Sequence, residues 1–253
     1  MPYLNYFNKQ IFYHIKESES KDAIIFVHGS GGSSDDWKNQ FNLKVNYKII
    51  ALDLPSHHKS DKFSELSLDL YVDVLNELAT HLNIENLVLC GHSLGGAIIQ
   101  TYYFKFPKNV KALILCGTGG RLRVSPMILN VLKDNYQTYL DLLFRAFHKN
   151  TSKDIIDAYK IETSKIGDQI TLQDFKICNN FDTLDITHTI NVPCLILCGK
   201  SDYLTPPKYS KYFKEKIGTS KLFIIENAGH MLMLEKPNEI NRMIEEFINY
   251  EVK

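Results

Sequence analysis

Runs of consecutive apolar residues recur along the chain at 11–15, 23–27, 48–52, 87–90, 112–116, 194–198 and 222–225. All but the first place hydrophobic side chains on successive positions, as strands covered on both faces do. Between them, Leu66, Leu70, Val74, Leu75, Leu78 and Leu82 follow helical spacing, and so do Ile240, Met243, Ile244, Phe247 and Ile248 near the end of the chain. The pattern predicts an α/β fold: a central, mostly parallel sheet with helices on both faces. At the start, residues 3–7 and 11–15 flank a polar link of Asn8, Lys9 and Gln10, which predicts an antiparallel hairpin leading into the sheet.

The alternation breaks once. Residues 121–186 contain no β-like run, and three helical patterns follow one another. The first carries Met127, Ile128, Val131 and Leu132, the second Tyr139, Leu142, Leu143 and Phe147, and the third Ile155, Ile156, Tyr159 and Ile161. The segment is apolar and not enriched in Pro, Gly or Ser, so it reads as a folded helical insertion and not a linker. The predicted organisation is a first core part at 1–120, the insertion at 121–186 and a second core part at 187–253.

Composition narrows the field. Of 253 residues, 44% are hydrophobic and 23% charged, and 29 Lys plus Arg balance 29 Asp plus Glu, so no positive field exists to gather nucleic acid. No apolar run approaches the ~20 residues of a membrane span, and the first residues lack the apolar block of a secretory signal. A cytoplasmic protein acting on a small molecule is the expectation. Five cysteines suggest no disulfide framework; Cys90, Cys116, Cys194 and Cys198 read as buried reduced thiols, and no ligand spacing implies a metal.

The strongest chemical signal is Gly91-His92-Ser93-Leu94-Gly95-Gly96, set between an apolar run and a helical stretch. A serine at a sharp strand-to-helix turn projects its hydroxyl at the strand's C-terminal edge, and the glycines relieve the crowding of that turn. The helix N-terminus brings partial positive charge beside any oxyanion that forms. These residues resemble the α/β-hydrolase family, specifically its serine esterase and lipase-like members with a helical cap, and the resemblance runs over nearly the whole chain. His28-Gly29-Ser30-Gly31-Gly32 is similar to the family's oxyanion loop, which implies the backbone amides of Ser30 and Leu94 as oxyanion donors, with Gly31 an alternative to Ser30. His28 itself reads as a brace for that loop.

A serine hydroxyl needs a base, and the base an orienting acid. The resemblance implies Asp202, in the loop after 194–198, as the acid and His230, in Asn227-Ala228-Gly229-His230, as the base. The order Ser93, Asp202, His230 agrees with that fold's triad order. The rival acid position, after 112–116, reads Gly117-Thr118-Gly119-Gly120 and holds no carboxylate. Asp53 reads as a turn aspartate. His57 and His58 stand where relatives often carry a glycine-containing turn, and metal binding by this pair is not expected, since no carboxylate or cysteine cluster accompanies them in sequence.

The implied activity is hydrolysis of carboxylic esters with short or medium apolar acyl groups, monoacylglycerol-like lipids included, through an acyl-enzyme and without cofactor or metal. Thioesterase, lactonase and carbon–carbon bond hydrolase activity use the same triad and stay open, and a non-catalytic ligand receptor is the remote alternative. Met127, Leu143, Phe144, Phe147 and Tyr159 cannot all pack inward in so thin a helical layer, so some are expected to line an apolar pocket. Trp37, Phe144 and Met231 are the named pocket candidates, though Trp37 reads first as packing the first crossover helix against the sheet. Arg121, Arg123 and His148 are the polar groups expected near the insertion.

Overall fold

The computed structural model describes residues 2–252. Its sheet has eight strands: β1 (Tyr3–Tyr6), β2 (Lys9–Lys16), β3 (Ala23–Val27), β4 (Lys48–Leu52), β5 (Leu87–His92), β6 (Val110–Cys116), β7 (Cys194–Gly199) and β8 (Ser220–Ile225). They lie in the order β1-β2-β4-β3-β5-β6-β7-β8. From β4 to β8 neighbours run parallel, while β1–β2 and β2–β4 are antiparallel. The predicted hairpin is present, but its turn is Phe7–Asn8 and not residues 8–10. Both turn residues have positive φ, 48° and 63°, the backbone a tight two-residue hairpin requires.

The β3 and β7 residues are buried throughout, as consecutive apolar positions demand. The last strand departs from that expectation. β8 closes the edge of the sheet, with no strand beyond it among the described residues, and Phe223 and Ile224 remain 38% and 36% exposed.

Helices cover the two faces. On one, α1 (Leu68–His81), α2 (Leu94–Lys105) and a later helix at 207–216 bury Tyr71, Leu75, Ile98 and Phe213 against Ile25, Leu89 and Ile196. On the other, the 3₁₀ segment Ser34–Asn42 and the C-terminal helix Pro237–Glu251 bury Trp37, Ile240, Ile244 and Phe247 against Ile24, Val88 and Leu195. Side chains alternate between these layers along each strand, so one strand feeds both cores.

Between β6 and β7 lie four helices, one more than the hydrophobic pattern predicts: α3 (Pro126–Asp134), α4 (Tyr136–Leu142), α5 (Lys153–Ile166) and α6 (Asp168–Asn180). They enclose a small cluster of their own around Leu132, Tyr139, Leu140 and Leu143. α6 escapes the periodicity reading because the residues it buries are Thr171, Asp174 and Cys178. Helix α7 (Pro207–Lys216) follows β7, and the short α8 (Leu232–Glu235) and long α9 (Pro237–Glu251) follow β8. Among the described residues, no helix is long and apolar enough to cross a membrane.

Candidate active site

Ser93 caps the N-terminus of α2 with φ 52° and ψ −115°, a backbone region that side chains rarely adopt. The turn is held from both sides. The Ser93 N–H donates to the Cys116 carbonyl (3.1 Å), and the Thr118 hydroxyl donates to the Ser93 carbonyl (2.8 Å). Gly95 has to be glycine, since a Cβ there would stand 2.2 Å from the Val27 carbonyl oxygen. The tight approach of α2 to β3 carries the helix N-terminus to the sheet edge, beside the loop that follows β3.

That loop holds Ser30. Its residues pack against the Ser93 turn: a Cβ on Gly29 would meet Ser93 Cβ at 3.2 Å. His28 is fully buried; its ring approaches the Gly29 carbonyl (2.8 Å) and accepts from the Leu54 N–H (3.1 Å). Burial and neighbouring His57 bring its pKa down to about 3, so it is a neutral brace. The Gly31 N–H is already spent on Asp174 Oδ2 (2.9 Å). Among the described residues, the N–H groups of Ser30 and Leu94 make no hydrogen bond. Of the alternatives at this loop, Ser30 is therefore the one whose amide stays available.

Asp202 sits in the loop after β7, almost fully buried. Its Oδ1 accepts from the Leu204 and Thr205 N–H groups (2.9 and 2.8 Å), a turn geometry typical of aspartate. Its Oδ2 accepts from the Thr205 hydroxyl (2.7 Å) and faces His230 Nδ1 at 2.9 Å. Burial pushes the carboxyl up, but the His230 charge and these donors outweigh it and hold Asp202 below its ordinary value. His230 comes from the loop after β8, and its N–H donates to the Ala146 carbonyl of the insertion (2.7 Å). The neighbouring His92 ring lies 4.5 Å away and directs Nε2 to the His230 carbonyl (3.1 Å). Burial and the nearby imidazole keep His92 well below the ordinary value, hence neutral.

Ser93 and His230 border one cavity of about 310 Å³. No hydrogen bond joins the Ser93 hydroxyl to the imidazole among the described residues. The walls are Leu122, Ile128, Tyr139, Leu143 and Phe175 from the insertion, with Leu204 and Met231 from the sheet side. Met231 lines this cavity. Trp37 and Phe144 do not. Trp37 is fully buried against Phe26 (ring centroids 4.9 Å apart) in the layer between the sheet and the 3₁₀ segment Ser34–Asn42, and Phe144 turns outward, 53% exposed, because it falls on the solvent side of its short 3₁₀ turn. Of the other insertion residues, Leu143 and Tyr159 face the cavity, Phe147 packs on Tyr159, and Met127 is exposed.

The polar wall also differs from expectation. Arg123 lines the cavity, joined by Arg145, whereas Arg121 is paired with Asp182 and His148 packs beside Glu235. Asp53 is a turn residue, accepting from the Ser34 and Lys59 N–H groups. His57 and His58 do acquire carboxylates in the fold, through chain segments distant in sequence. His57 Nε2 meets Asp174 Oδ2 at 2.9 Å, and His58 stands 4.0 Å from both Asp35 and Glu162. All five cysteines are free and buried. Cys178, which the apolar runs do not reveal, borders the cavity, its thiol pushed up to about 12 by burial.

Comparison with known proteins agrees with this architecture. The profile of the alpha/beta hydrolase family matches residues 24–243. A solved thermophilic esterase is 32% identical, covers 98% of this chain and 96% of its own, and superposes with a TM-score of 0.88. Lipase 3 of Moraxella sp. (strain TA144) is 24% identical over 89% of this chain and 77% of its own length. The 2-hydroxy-6-oxo-6-phenylhexa-2,4-dienoate hydrolase of Comamonas testosteroni is 23% identical over 93% and 90%.

Proposed function

The chain belongs to the α/β hydrolase family, and from that membership we propose that it is a serine hydrolase cleaving carboxylic esters with short or medium apolar acyl groups, monoacylglycerol-like esters among them. The observation that carries this reading is a serine at φ 52° on the same cavity as an imidazole whose other nitrogen is held by a buried carboxylate. Residues 121–186 serve as its cap.

The proposed cycle is acyl transfer. Asp202 fixes the imidazole with Nδ1 protonated and Nε2 basic, and stabilises the imidazolium that forms. His230 takes the hydroxyl proton as Ser93 Oγ attacks the ester carbonyl; the hydrogen bond between them forms in the substrate complex, as catalytic contacts loose in the resting enzyme often do. The Ser30 and Leu94 amides hold the oxyanion. His230 then protonates the departing alcohol, and water repeats the steps on the acyl-enzyme. Neutral His92, its ring tilted against that of His230, adds no competing charge.

The apolar walls favour an apolar acyl group. One observation supports a second reading: Arg123 and Arg145 line the cavity and no carboxylate does, which suits an acid-bearing substrate such as that of a carbon–carbon bond hydrolase. Kinetics on matched p-nitrophenyl, glyceryl, thio and lactone esters and a dienoate, for wild type and Ser93→Ala, test both. Hydrolysis of apolar esters lost in Ser93→Ala is the expected result. Unchanged hydrolysis in that variant would remove the assignment, and turnover of the dienoate alone would replace ester by carbon–carbon cleavage.

A further inference from the structure

The residues that α6 buries form one stripe at spacings of three and four, Thr171, Asp174 and Cys178, and all three face the loop that carries Ser30. Cys178 Sγ lies 3.4 Å from the Ser30 hydroxyl. Asp174 Oδ2 accepts from the Gly31 N–H at 2.9 Å. Thr171 packs over Gly31 so closely that a Cβ there would meet its hydroxyl at 3.1 Å, and Gly31 adopts φ 65° beneath it. A helix normally docks through an apolar stripe; all three residues of this one touch the Ser30 loop, two of them by polar groups.

Asp174 is the centre of the contact. It is fully buried, and besides Gly31 it meets His57 Nε2 (2.9 Å) and accepts from the Tyr71 hydroxyl (2.7 Å). Its carboxylate therefore joins three core elements: the loop after β3, the turn after β4 and helix α1. A buried carboxylate with three partners at these distances has one low-energy arrangement, because any shift strands a charge in a dry site.

We propose that Asp174 is a positioning residue for the oxyanion hole, so that docking of α6 and assembly of the hole are one event. By tying up the Gly31 N–H, the carboxylate fixes the peptides on either side of Ser30 and leaves the Ser30 N–H as the donor for the substrate oxygen. His57 holds the carboxylate in place from the core side. The inference rests on the serine-hydrolase reading, since the oxyanion in question is that of the tetrahedral intermediate formed when Ser93 attacks a carbonyl. It goes further in making a residue of the insertion, remote in sequence from the triad, set the rate.

The test compares wild type, Asp174→Ala and the isosteric Asp174→Asn on a p-nitrophenyl ester, with a trifluoromethyl ketone as the oxyanion-forming inhibitor and thermal unfolding recorded alongside. Loss of an oxyanion donor costs about 10²–10³ in kcat. A fall in kcat on the order of 10²-fold is therefore expected for Asp174→Ala, with KM little changed and inhibitor affinity falling in parallel. Asp174→Asn keeps an acceptor oxygen and retains an intermediate rate; it also carries the test if the alanine variant does not fold. A lower melting temperature with kcat and inhibitor affinity unchanged in Asp174→Asn and in any folded Asp174→Ala would overturn the proposal and leave the hydrolase reading intact. A wild type inert toward every ester and not bound by the trifluoromethyl ketone would overturn both.

Discussion

The sheet and the insertion are stabilised by different means. The sheet is specified by side chains with no alternative to burial: Ile24, Ile25, Val88, Leu89, Leu195 and Ile196 are all fully enclosed, and together they fix strand order and register. The insertion buries far fewer apolar residues and joins the core by a few of them, Leu122, Phe147 and Phe181 included, together with polar contacts of Asp174 with Gly31, His57 and Tyr71 and of the Ala146 carbonyl with the His230 N–H. Apolar burial tolerates small shifts, whereas a hydrogen-bonded carboxylate does not. The sheet thus provides stability, and the insertion provides the geometry of the loops that carry Ser30 and His230.

That contrast is broken most forcefully by removing the chemistry without the packing. Ser93→Ala is expected to reduce ester turnover by about 10⁶, as loss of the nucleophile does in enzymes with this triad, while the unfolding midpoint stays near wild type. Paired kinetics and calorimetry check it, and a variant that loses stability in step with activity would count against the division. Next in size is a sheet-side change. Trp37→Ala opens a cavity in the sealed layer against Phe26 and is expected to cost about 3–5 kcal/mol in denaturant unfolding, whereas outward-facing Phe144→Ala should fall within about 0.5 kcal/mol of wild type. Reversed magnitudes would mean that the insertion, not the sheet, carries the stability.

A smaller effect is expected at the seam. Gly31→Ala strains a positive-φ position and presses on Thr171, at a cost of about 1–3 kcal/mol, with kcat affected more than KM. Smallest is a pH effect. Burial pulls the His57 imidazole down, but the Asp174 charge and hydrogen bond more than reverse this, leaving it raised above 6.5. Its contribution to docking is then fully present below 6.5 and lost as pH rises through the folded value. Asp202, held below 3.8, acts in the opposite window: its contribution is present above 3.8 and lost as pH falls through the folded value. Limited proteolysis should therefore cut residues 121–186 more readily once the pH has risen past the folded value of His57, while the sheet stays resistant. Equal protection below and above that value would show that His57 does not hold the seam.

What the sequence disclosed divides along the same line. Strands with consecutive apolar residues and the Gly-x-Ser-x-Gly turn are readable because local pattern dictates them, and Ser93, Asp202 and His230 lie in loops following β5, β7 and β8 as their motifs imply. Helix α6 was unreadable because its buried stripe is Thr, Asp and Cys. Asp174 sits 117 residues from His57, so no spacing links them. Thr205, which donates to the Asp202 carboxylate, had a local signal in the Asp-x-x-Thr turn. The outward turn of Phe144 depends on how a short 3₁₀ segment rotates, which hydrophobicity alone does not encode.

The central claim, that Ser93 is a nucleophile activated by His230, is tested most directly by covalent capture. The protein is treated with a fluorophosphonate and the adduct mapped by peptide mass spectrometry. A single stoichiometric adduct on Ser93, abolished in Ser93→Ala and strongly slowed in His230→Ala, is the predicted result. An adduct on another serine, or labelling of Ser93 at an undiminished rate without the imidazole, would contradict it.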